Sequence, residues 1–392
     1  MTPILIDISR LLYRRLTDAH PTGIDRVGIE YARHYGARAR AVLCWGPFSA
    51  LLSQAESRRA FHALAHPEVP LKWFAFCMIA KACVTYWIPF NVRGQFLFNT
   101  SHTGLENRHY AWLMRRLGAR PIIVIHDLIP LEHPEYCRAG EYERHRTRMN
   151  CALNIAHGIV VNSAHTLRAL EDFCRLEKQT LPPTVAALLA TALPEENPVV
   201  DTAARPDVRP IEGTYFVMVS TIEPRKNHWM LLQIWRRLIE KMGADVPKLM
   251  VIGKRGWECE NVVDLLERCI PLKGIVIETK SCSDAELITY MRHAQALLFP
   301  SFAEGFGLPL CEALTTGLPV IASNLEVFRE IAADVPDYAD PLDGKRWEEL
   351  ITDYAKPDSA ARAAQLVRMQ AFTQTTWAQH FTKVDAMLEK LA

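Results

Sequence analysis

The sequence lacks the cysteine pairs and glycine fingerprints that mark several common classes of protein. Its ten cysteines are scattered, with no CxxC pair and no His/Cys cluster at zinc-ligand spacing. The pattern GxGxxG of dinucleotide-binding proteins is also absent. Residues 1–12 lack the basic-then-apolar layout of a secretion signal. We therefore expect a cytoplasmic protein with reduced thiols.

The sequence also lacks a large excess of charge of one sign, because the formal net charge of the 392 residues is only +1. The balance is uneven: residues 1–200 carry 23 Lys and Arg against 17 Asp and Glu, whereas the rest carries 22 against 27. We expect no nucleic-acid partner. The modest basic bias of the first half suits an anionic membrane surface or a phosphorylated partner, although on charge alone ordinary solvated faces explain it better.

Only one long apolar run is present, WFAFCMIAKACVTYWIPF at residues 73–90. It is shorter than the roughly 20 residues that span a bilayer, and Lys81 lies at its centre. Two interpretations remain open at this point. The run forms either a buried core helix or a helix lying on a membrane surface, where tryptophan and tyrosine are favoured.

The chain is long enough for two domains and alternates short apolar strands with amphipathic helices. This alternation predicts an α/β protein with two Rossmann-like, doubly wound parallel sheets. The proline-rich stretch LPEENPVVDTAARPDVRPIEG reads as the connection between the domains. We predict a first domain at 1–195, a linker at 196–212, a second domain at 213–373 and a final helix at 374–392. Because ligands bind beyond the carboxyl ends of parallel strands, a cleft between the domains should hold the site.

Two loops of the first half follow predicted strands. TGIDR contains Gly23, which permits close backbone approach to a ligand but also suits a plain turn. His126 and Asp127 come directly after the strand PIIVI. A histidine in this place can donate a hydrogen bond to a sugar hydroxyl or steady developing charge, whereas a lone histidine is usually structural.

The loop STIEPRKN of the second half, which begins at Ser220, lies between a strand and a helix. Arg225 can fork onto diphosphate oxygens, and Lys226 can act as a compact positive charge beside them. A basic surface turn is the alternative. The position after a strand favours a phosphate site.

The most informative stretch is PSFAEGFGLPLCEAL at residues 300–314, which follows a predicted strand and runs into a helix opened by proline. A helix start presents unpaired N–H groups and a partial positive charge to an anionic or hydroxyl-rich ligand. Glu304 and the backbone of Gly305, Phe306, Gly307 and Leu308 would hold a sugar. Glu312 would accept a hydrogen bond from a ribose. Helix capping alone would explain the carboxylates but not the two glycines.

Taken together, these segments resemble the retaining glycosyltransferases of family 4. PSFAEGFGLPLCEA resembles the E-x7-E motif of that family, TIEPRKN its phosphate-binding loop and HDLIPLEHPEY its catalytic-histidine loop. TGIDRV and HDLIPL look like segments of bacterial O-antigen and capsule transferases, some of which are mannosyltransferases. Two departures stand at Ser220, where family members usually carry glycine, and at Lys280, where they often do.

The resemblance implies a GT-B fold, in which the first domain binds the acceptor and the second binds the nucleotide-sugar donor. It implies catalytic roles for His126, Glu304, Arg225 and Lys226. Donor contacts would come from a further set of residues: Gly23, Asp127, Ser220, Gly305, Phe306, Gly307, Leu308 and Glu312. The family retains anomeric configuration and typically needs no divalent metal, so we expect neither metal nor cofactor.

We therefore expect a cytoplasmic enzyme, peripheral on the inner membrane, that extends a bacterial surface glycan. The donor would be GDP- or UDP-linked, with GDP-mannose a candidate, and the acceptor a polyprenyl-linked glycan. Two alternatives remain: a nucleotide-sugar epimerase or phosphorylase on the same fold, and a catalytically silent subunit that docks a partner transferase.

Overall fold

The computed structural model describes residues 3–17, 22–45, 48–66, 68–85, 92–191 and 210–392. These residues form two compact units. The first contains the described residues within Met1–Glu132, Gly140–Ala192 and Thr375–Ala392; the second contains those within His133–Ala139 and Leu193–Gln374. The predicted linker at 196–212 lies outside the described residues up to position 209.

The first unit is built on a seven-stranded sheet with the strand order β3-β2-β1-β4-β5-β6-β7. All neighbours run parallel except β2 and β3, which pair antiparallel. The central strands are buried end to end, as expected for a sheet covered on both faces. The strands are β1 (Ile4–Asp7), β2 (Ala39–Trp45), β3 (Phe48–Leu51), β4 (Phe96–Asn99), β5 (Arg120–Ile125), β6 (Gly158–Val161) and β7 (Thr184–Ala186).

Nine helices accompany this sheet in the part of the chain that the structure describes. The last of them, from the carboxyl end of the sequence, groups with this unit rather than with the second. They are α1 (Ser9–Leu16), α2 (Gly23–Tyr35), α3 (Gln54–Ala65), α4 (Lys72–Thr85), α5 (Arg108–Leu117), α6 (Ile129–Glu132), α7 (Glu141–Ile155), α8 (Ala164–Glu177) and α16 (Trp377–Leu391).

The second unit has a six-stranded, fully parallel sheet with the order β10-β9-β8-β11-β12-β13. Alternate residues of β8 enter different apolar clusters: Phe216 and Met218 pack on one face, Tyr215 and Val217 on the other. The strands are β8 (Tyr215–Val219), β9 (Lys248–Ile252), β10 (Val276–Thr279), β11 (Leu297–Phe299), β12 (Val320–Ser323) and β13 (Asp337–Ala339).

Helices cover both faces of this second sheet. A short 3₁₀ turn, Pro224–Lys226, precedes the first of them. They are α9 (His228–Met242), α10 (Glu260–Arg268), α11 (Asp284–His293), α12 (Leu308–Thr315), α13 (Glu326–Ala332), α14 (Gly344–Tyr354) and α15 (Ala360–Met369).

One difference from the predicted domain limits is that residues 133–139 group with the second unit, although we predicted them within the first domain. Aromatic packing explains this. The Tyr136 ring stacks on Phe302 with centroids 5.4 Å apart, and the guanidinium of Arg138 lies 5.1 Å from the ring centroid of Trp257. The indole N–H of Trp257 also donates to the Tyr136 carbonyl at 3.1 Å.

The helix at the carboxyl end packs into the first unit through an aromatic cluster. The Tyr31 hydroxyl and His380 Nε2 are 3.0 Å apart, and the Tyr35 hydroxyl donates to Asp385 at 3.0 Å. Phe381 stacks on His34 with ring centroids 3.9 Å apart. Among the described residues, no helix combines the length and the apolar character that a bilayer span requires.

Candidate functional site

The phosphate-loop candidate of the second unit is held at the carboxyl end of β8. The chain leaves the strand at Ser220, turns through the 3₁₀ turn and enters α9 after Asn227, whose φ is 60°. The backbone N–H of Phe302 donates to the Arg225 carbonyl at 2.8 Å. This hydrogen bond joins the loop to the segment after β11, so the two loops that the sequence singled out lie together.

Glu304 brings the two predicted cations of the loop into direct contact with a carboxylate. Arg225 Nη1 is 2.8 Å from one Glu304 oxygen, and Lys226 Nζ is paired with the other. Arg225 also contacts Glu223 through Nε, at 2.6 Å, and donates to the carbonyl of Ala303 at 2.8 Å. Lys226 and Glu304 are both buried. The structure therefore clusters two cations and two carboxylates at one strand end.

The electrostatics of this cluster keep Glu304 ionised. Burial by itself would raise the pKa of the Glu304 carboxyl, but the charges of Arg225 and Lys226 outweigh it and lower that pKa to about 2. Burial raises the pKa of Glu223, and burial together with Arg225 lowers the pKa of Lys226. An ionised Glu304 accepts hydrogen bonds only, which suits sugar hydroxyls.

The glycine-rich loop reaches α12 through a backbone conformation that requires glycine. Gly307 has a φ of 124°, and a Cβ there would lie 2.8 Å from the Phe328 ring. Phe306 is buried, and Leu308 is the first residue of α12. Glu312 is buried on the same helix, as the sequence predicted for a carboxylate about one turn inside it.

Ser220 and His228 are two further side chains next to the cluster of Arg225, Lys226 and Glu304. The Ser220 hydroxyl and His228 Nε2 are 3.4 Å apart. Burial and the nearby charge of Lys226 lower the pKa of His228 to about 3, so the ring is neutral at physiological pH. Neither Glu223 nor His228 was predicted as a site residue, although both lie within or next to the STIEPRKN segment.

The histidine of the first unit is fixed by backbone hydrogen bonds at the end of β5. His126 Nε2 lies 2.8 Å from the Thr100 carbonyl, which can only accept, so Nε2 carries the proton. Burial lowers the pKa of the ring. In the neutral form Nδ1 then presents a lone pair. Because Nε2 is engaged by the Thr100 carbonyl, Nδ1 of the neutral ring can accept a hydrogen bond but cannot donate one. The predicted role of His126, donating to a sugar hydroxyl or steadying developing charge, stays a prediction.

Two further histidines surround it that the sequence analysis did not single out. The backbone N–H of His126 donates to His102 Nε2 at 3.3 Å, and His145 Nε2 is 3.2 Å from the Asp127 carbonyl. Burial lowers the pKa of both added rings. His102 lies three residues past the end of β4, so a slightly wider form of the strand-end rule that selected His126 could have found it. In the described part of the chain, no group of three or more His, Cys, Asp or Glu is placed to hold a metal.

A cavity of about 520 Å³ opens beside these histidines. Its arginines are balanced by carboxylates: Arg144 and Arg148 contact Glu106 at 2.7 and 3.1 Å, and Arg10 contacts Asp25 at 2.7 Å. The lining includes polar groups from the ends of β1, β4 and β5: Ser9, Ser101, His102, Thr103 and Asp127. Paired charges and hydroxyls in a cavity of this size suit an uncharged, hydroxyl-rich ligand.

Gly23 lies at a helix start instead of in an open loop. Helix α1 intervenes between β1 and the TGIDR segment, and Gly23 is the exposed first residue of α2. Asp25 caps this start, since its carboxylate accepts from the Thr22 backbone N–H at 2.7 Å. Gly23, His126 and Asp127 belong to the first unit, whereas the other predicted site residues belong to the second.

Comparison of the sequence with known proteins agrees with the glycosyltransferase motifs described above. Residues 202–338 match the family Glycosyl transferases group 1. The serotype-specific mannosyltransferase WbdA of Escherichia coli is 29% identical over 230 residues, which are 56% of this chain but only 28% of WbdA. The O-antigen chain mannosyltransferase RfbU of Salmonella typhimurium is 25% identical over 304 residues, 75% of this chain and 73% of RfbU. These matches confirm the resemblance to glycosyltransferases that was predicted from the motifs.

Solved structures share the architecture along the whole chain. The structure of Anabaena HepE in complex with UDP-glucose aligns with a TM-score of 0.65 at 16% identity, over 100% of this chain and 99% of that one. Sucrose-phosphate synthase from Thermosynechococcus elongatus aligns with a TM-score of 0.60 at 17% identity and the same coverage. The predicted GT-B fold class is thereby confirmed.

Proposed function

We propose that this chain is a retaining glycosyltransferase that moves a hexose from a nucleotide-diphosphate sugar to a glycan acceptor. The observation that carries the proposal is the cluster that half-buried Arg225 forms with buried Lys226 and Glu304 at the ends of β8 and β11. It combines cations for a diphosphate with a permanently ionised carboxylate for sugar hydroxyls.

Donor binding exchanges some of the ion pairs of this cluster for contacts with the diphosphate. The diphosphate oxygens compete with Glu304 for Arg225 and Lys226, and they neutralise the charge that the leaving group develops. These cations take the place of a divalent ion. Glu304, released from part of its ion pairing, accepts from hydroxyls of the transferred hexose, and Glu312 accepts from the ribose.

The reaction retains configuration through attack on the face that the leaving group departs from. The bond between the anomeric carbon and the donor phosphate oxygen breaks, and an acceptor hydroxyl oxygen bonds to that carbon. The hydroxyl proton passes to the departing phosphate. His126, a neutral ring with its lone pair at Nδ1, accepts a hydrogen bond from a hydroxyl beside the reacting carbon.

The names of the relatives support a choice of donor and acceptor. WbdA and RfbU are named as mannosyltransferases, and the name of RfbU refers to the O-antigen chain. We therefore propose mannose from GDP-mannose as the donor group and a growing, lipid-linked surface glycan as the acceptor. UDP-glucose, bound in the HepE structure, is the next donor to examine.

The test is transfer from labelled GDP-mannose and UDP-glucose to a polyprenyl-diphosphate glycan, with and without EDTA. Product anomeric configuration is read by NMR. Loss of a charged contact costs about 1.5–3 kcal/mol, so Lys226→Ala should lower kcat/KM about tenfold to a hundredfold. Lys241→Ala is the matched control, because Lys241 pairs with Glu348 elsewhere in the same unit.

Three results would contradict the proposal. Inverted product configuration would exclude the retaining reaction, and equal activity of Lys226→Ala and Lys241→Ala would exclude the cluster as the diphosphate site. Donor binding with neither hydrolysis nor transfer would favour a catalytically silent subunit instead.

A further inference from the structure

Residues 133–139 follow α6 and precede α7 of the first unit, yet they group with the second unit. We call them the 133–139 segment. Its short 3₁₀ turn, Pro134–Tyr136, ends at the residue that makes most of its contacts with the second unit. The Tyr136 ring stacks on Phe302 with the ring planes 12° apart, and the Tyr136 carbonyl accepts from the indole N–H of Trp257 at 3.1 Å. One residue therefore contacts two separate loops through two different groups.

These two loops lie on either side of the loop STIEPRKN, which we call the cation loop. Trp257 follows β9, the cation loop follows β8, and Phe302 follows β11. In the sheet, β8 pairs with β9 on one side and with β11 on the other, and all three strands are parallel. Their following loops therefore leave the same edge of the sheet in the same order. Tyr136 thus contacts both neighbours of the cation loop.

Backbone hydrogen bonds join the cation loop to both neighbouring loops. The Gly256 N–H donates to the Ile222 carbonyl at 2.9 Å, and a Cβ at Gly256 would lie 2.7 Å from that oxygen. On the other side, the Phe302 N–H donates to the Arg225 carbonyl at 2.8 Å. Tyr136 therefore closes a ring of contacts that runs through all three loops.

The position of Phe302 connects this ring of contacts to the candidate site. Phe302 lies two residues before Glu304 in the chain. The Glu304 carboxylate contacts Arg225 at 2.8 Å and pairs with Lys226. Arg225 Nη1 also donates to the carbonyl of Ala303, the residue after Phe302, at 2.8 Å. A displaced Phe302 would therefore move the acceptor atoms that orient Arg225.

We propose that Tyr136 is a positioning residue for the donor diphosphate. It holds the loops on both sides of the cation loop and thereby fixes where Arg225 and Lys226 lie. Groups that bind a ligand need to be held within about 0.5 Å of the productive geometry, and packing by neighbouring side chains supplies that restraint. This inference rests on the proposed function, because it takes the cluster of Arg225, Lys226 and Glu304 as the diphosphate site.

The experiment is calorimetric titration of the purified full chain and its variants with GDP and with UDP. Tyr136→Leu loses the stacked ring, and the strength of such a pair predicts a rise in the nucleotide Kd of about twofold to tenfold. Tyr136→Phe keeps both the ring and the backbone carbonyl, so it should bind as the wild type does. Tyr142→Leu is the matched control, because Tyr142 is a 41% exposed tyrosine on α7 of the first unit.

A double-mutant cycle tests the route through Phe302. In a Phe302→Leu background, Tyr136→Leu should raise the Kd no further, since the stacked pair is already lost. Trp257→Phe is a milder variant that removes the N–H bonded to the Tyr136 carbonyl but keeps an aromatic ring beside Arg138. It should weaken nucleotide binding in the same direction, and it replaces Tyr136→Leu as the test if that variant does not fold.

Hydrogen exchange without nucleotide measures the support of the loop directly. The Phe302 amide, which donates to the Arg225 carbonyl, should exchange faster in Tyr136→Leu than in the wild type or in Tyr136→Phe. A purely structural role would lower the midpoint of urea unfolding but leave both this exchange and the nucleotide Kd of the folded protein unchanged.

The results also separate this inference from the proposed function. Weakened nucleotide binding by Lys226→Ala together with wild-type binding by Tyr136→Leu would overturn the inference and leave the proposed function standing. An equal loss in Tyr142→Leu would overturn it too, as would additive losses in the double variant. Failure of the wild type to bind either nucleotide would sink the proposed function, and Tyr136 would then have no diphosphate to position.

Discussion

His102 occupies a left-handed backbone conformation, with a φ of 60°, and is buried beside His126 and His145. Burial lowers the pKa of all three rings below the ordinary value of about 6.5. A folded-state pKa below the unfolded one gives stability that is present above the unfolded pKa. That stability is lost as the pH falls, since the unfolded chain then binds more protons.

We predict that the free energy of unfolding declines as the pH falls below about 6.5, by at most about 1.4 kcal/mol per pH unit for each ring. The variant His102→Asn keeps a residue that tolerates this backbone conformation but removes one titrating group. Urea unfolding at pH 8, 6.5 and 5 should give a shallower decline for the variant. An unchanged slope would show that His102 does not titrate in this window.

The candidate site residues of the two units were predictable in part from the sequence. Arg225, Lys226 and Glu304 stand after apolar strands, so strand-end position and residue type selected them. Their mutual ion pairing was not foreseen, because it depends on the 3₁₀ turn that contains both cations and on the hydrogen bond that joins this turn to the segment after β11. The proton position on His126 likewise follows from the Thr100 carbonyl, which no sequence pattern reports.

At the scale of elements, α16 stabilises a unit from which it is separated by most of the chain. Phe381 is 2% exposed and packs against His34, Tyr31 and Tyr35 of α2. We predict that Phe381→Ala lowers the stability of the first unit by about 3–5 kcal/mol, through lost burial and the cavity left behind. Denaturant unfolding followed by circular dichroism would measure this.

Val367→Ala is a suitable control for that variant, because Val367 on α15 is 66% exposed. It should change stability by less than about 0.5 kcal/mol. Comparable losses for the two variants would mean that α16 is not an integral part of the first unit.

The main strands were predictable because each is a short apolar run between polar segments. Strands β3, β7 and β13 were not, since they are edge strands whose sequences, FSAL, TVA and DYA, form no continuous apolar run. Helix α1 was missed too. It begins two residues after the end of β1, and no proline or glycine separates its sequence SRLLYRRL from that strand.

At the scale of the whole molecule, a nucleotide diphosphate should stabilise the second unit, which holds the cluster of Arg225, Lys226 and Glu304. At a hundred times its dissociation constant, a ligand adds about 2.7 kcal/mol to the native state. We predict that GDP raises Tm more than UDP at equal concentration, and that Lys226→Ala lowers the shift to about half or less. Differential scanning fluorimetry would measure both. A larger shift with UDP would contradict the proposed GDP-mannose donor.

The grouping of residues into units has a practical consequence for hybrid enzymes. The chain passes from one unit to the other four times: before residue 133, after 139, near 192 and before 375. In a hybrid joined at a single point near 192, residues 133–139 of one parent would meet the second unit of the other, and α16 of that other parent would meet the first unit of the first parent. If the second unit binds the donor as we propose, exchange of donor preference requires residues 133–139 to be transplanted together with 193–374, while α16 stays with its own first unit.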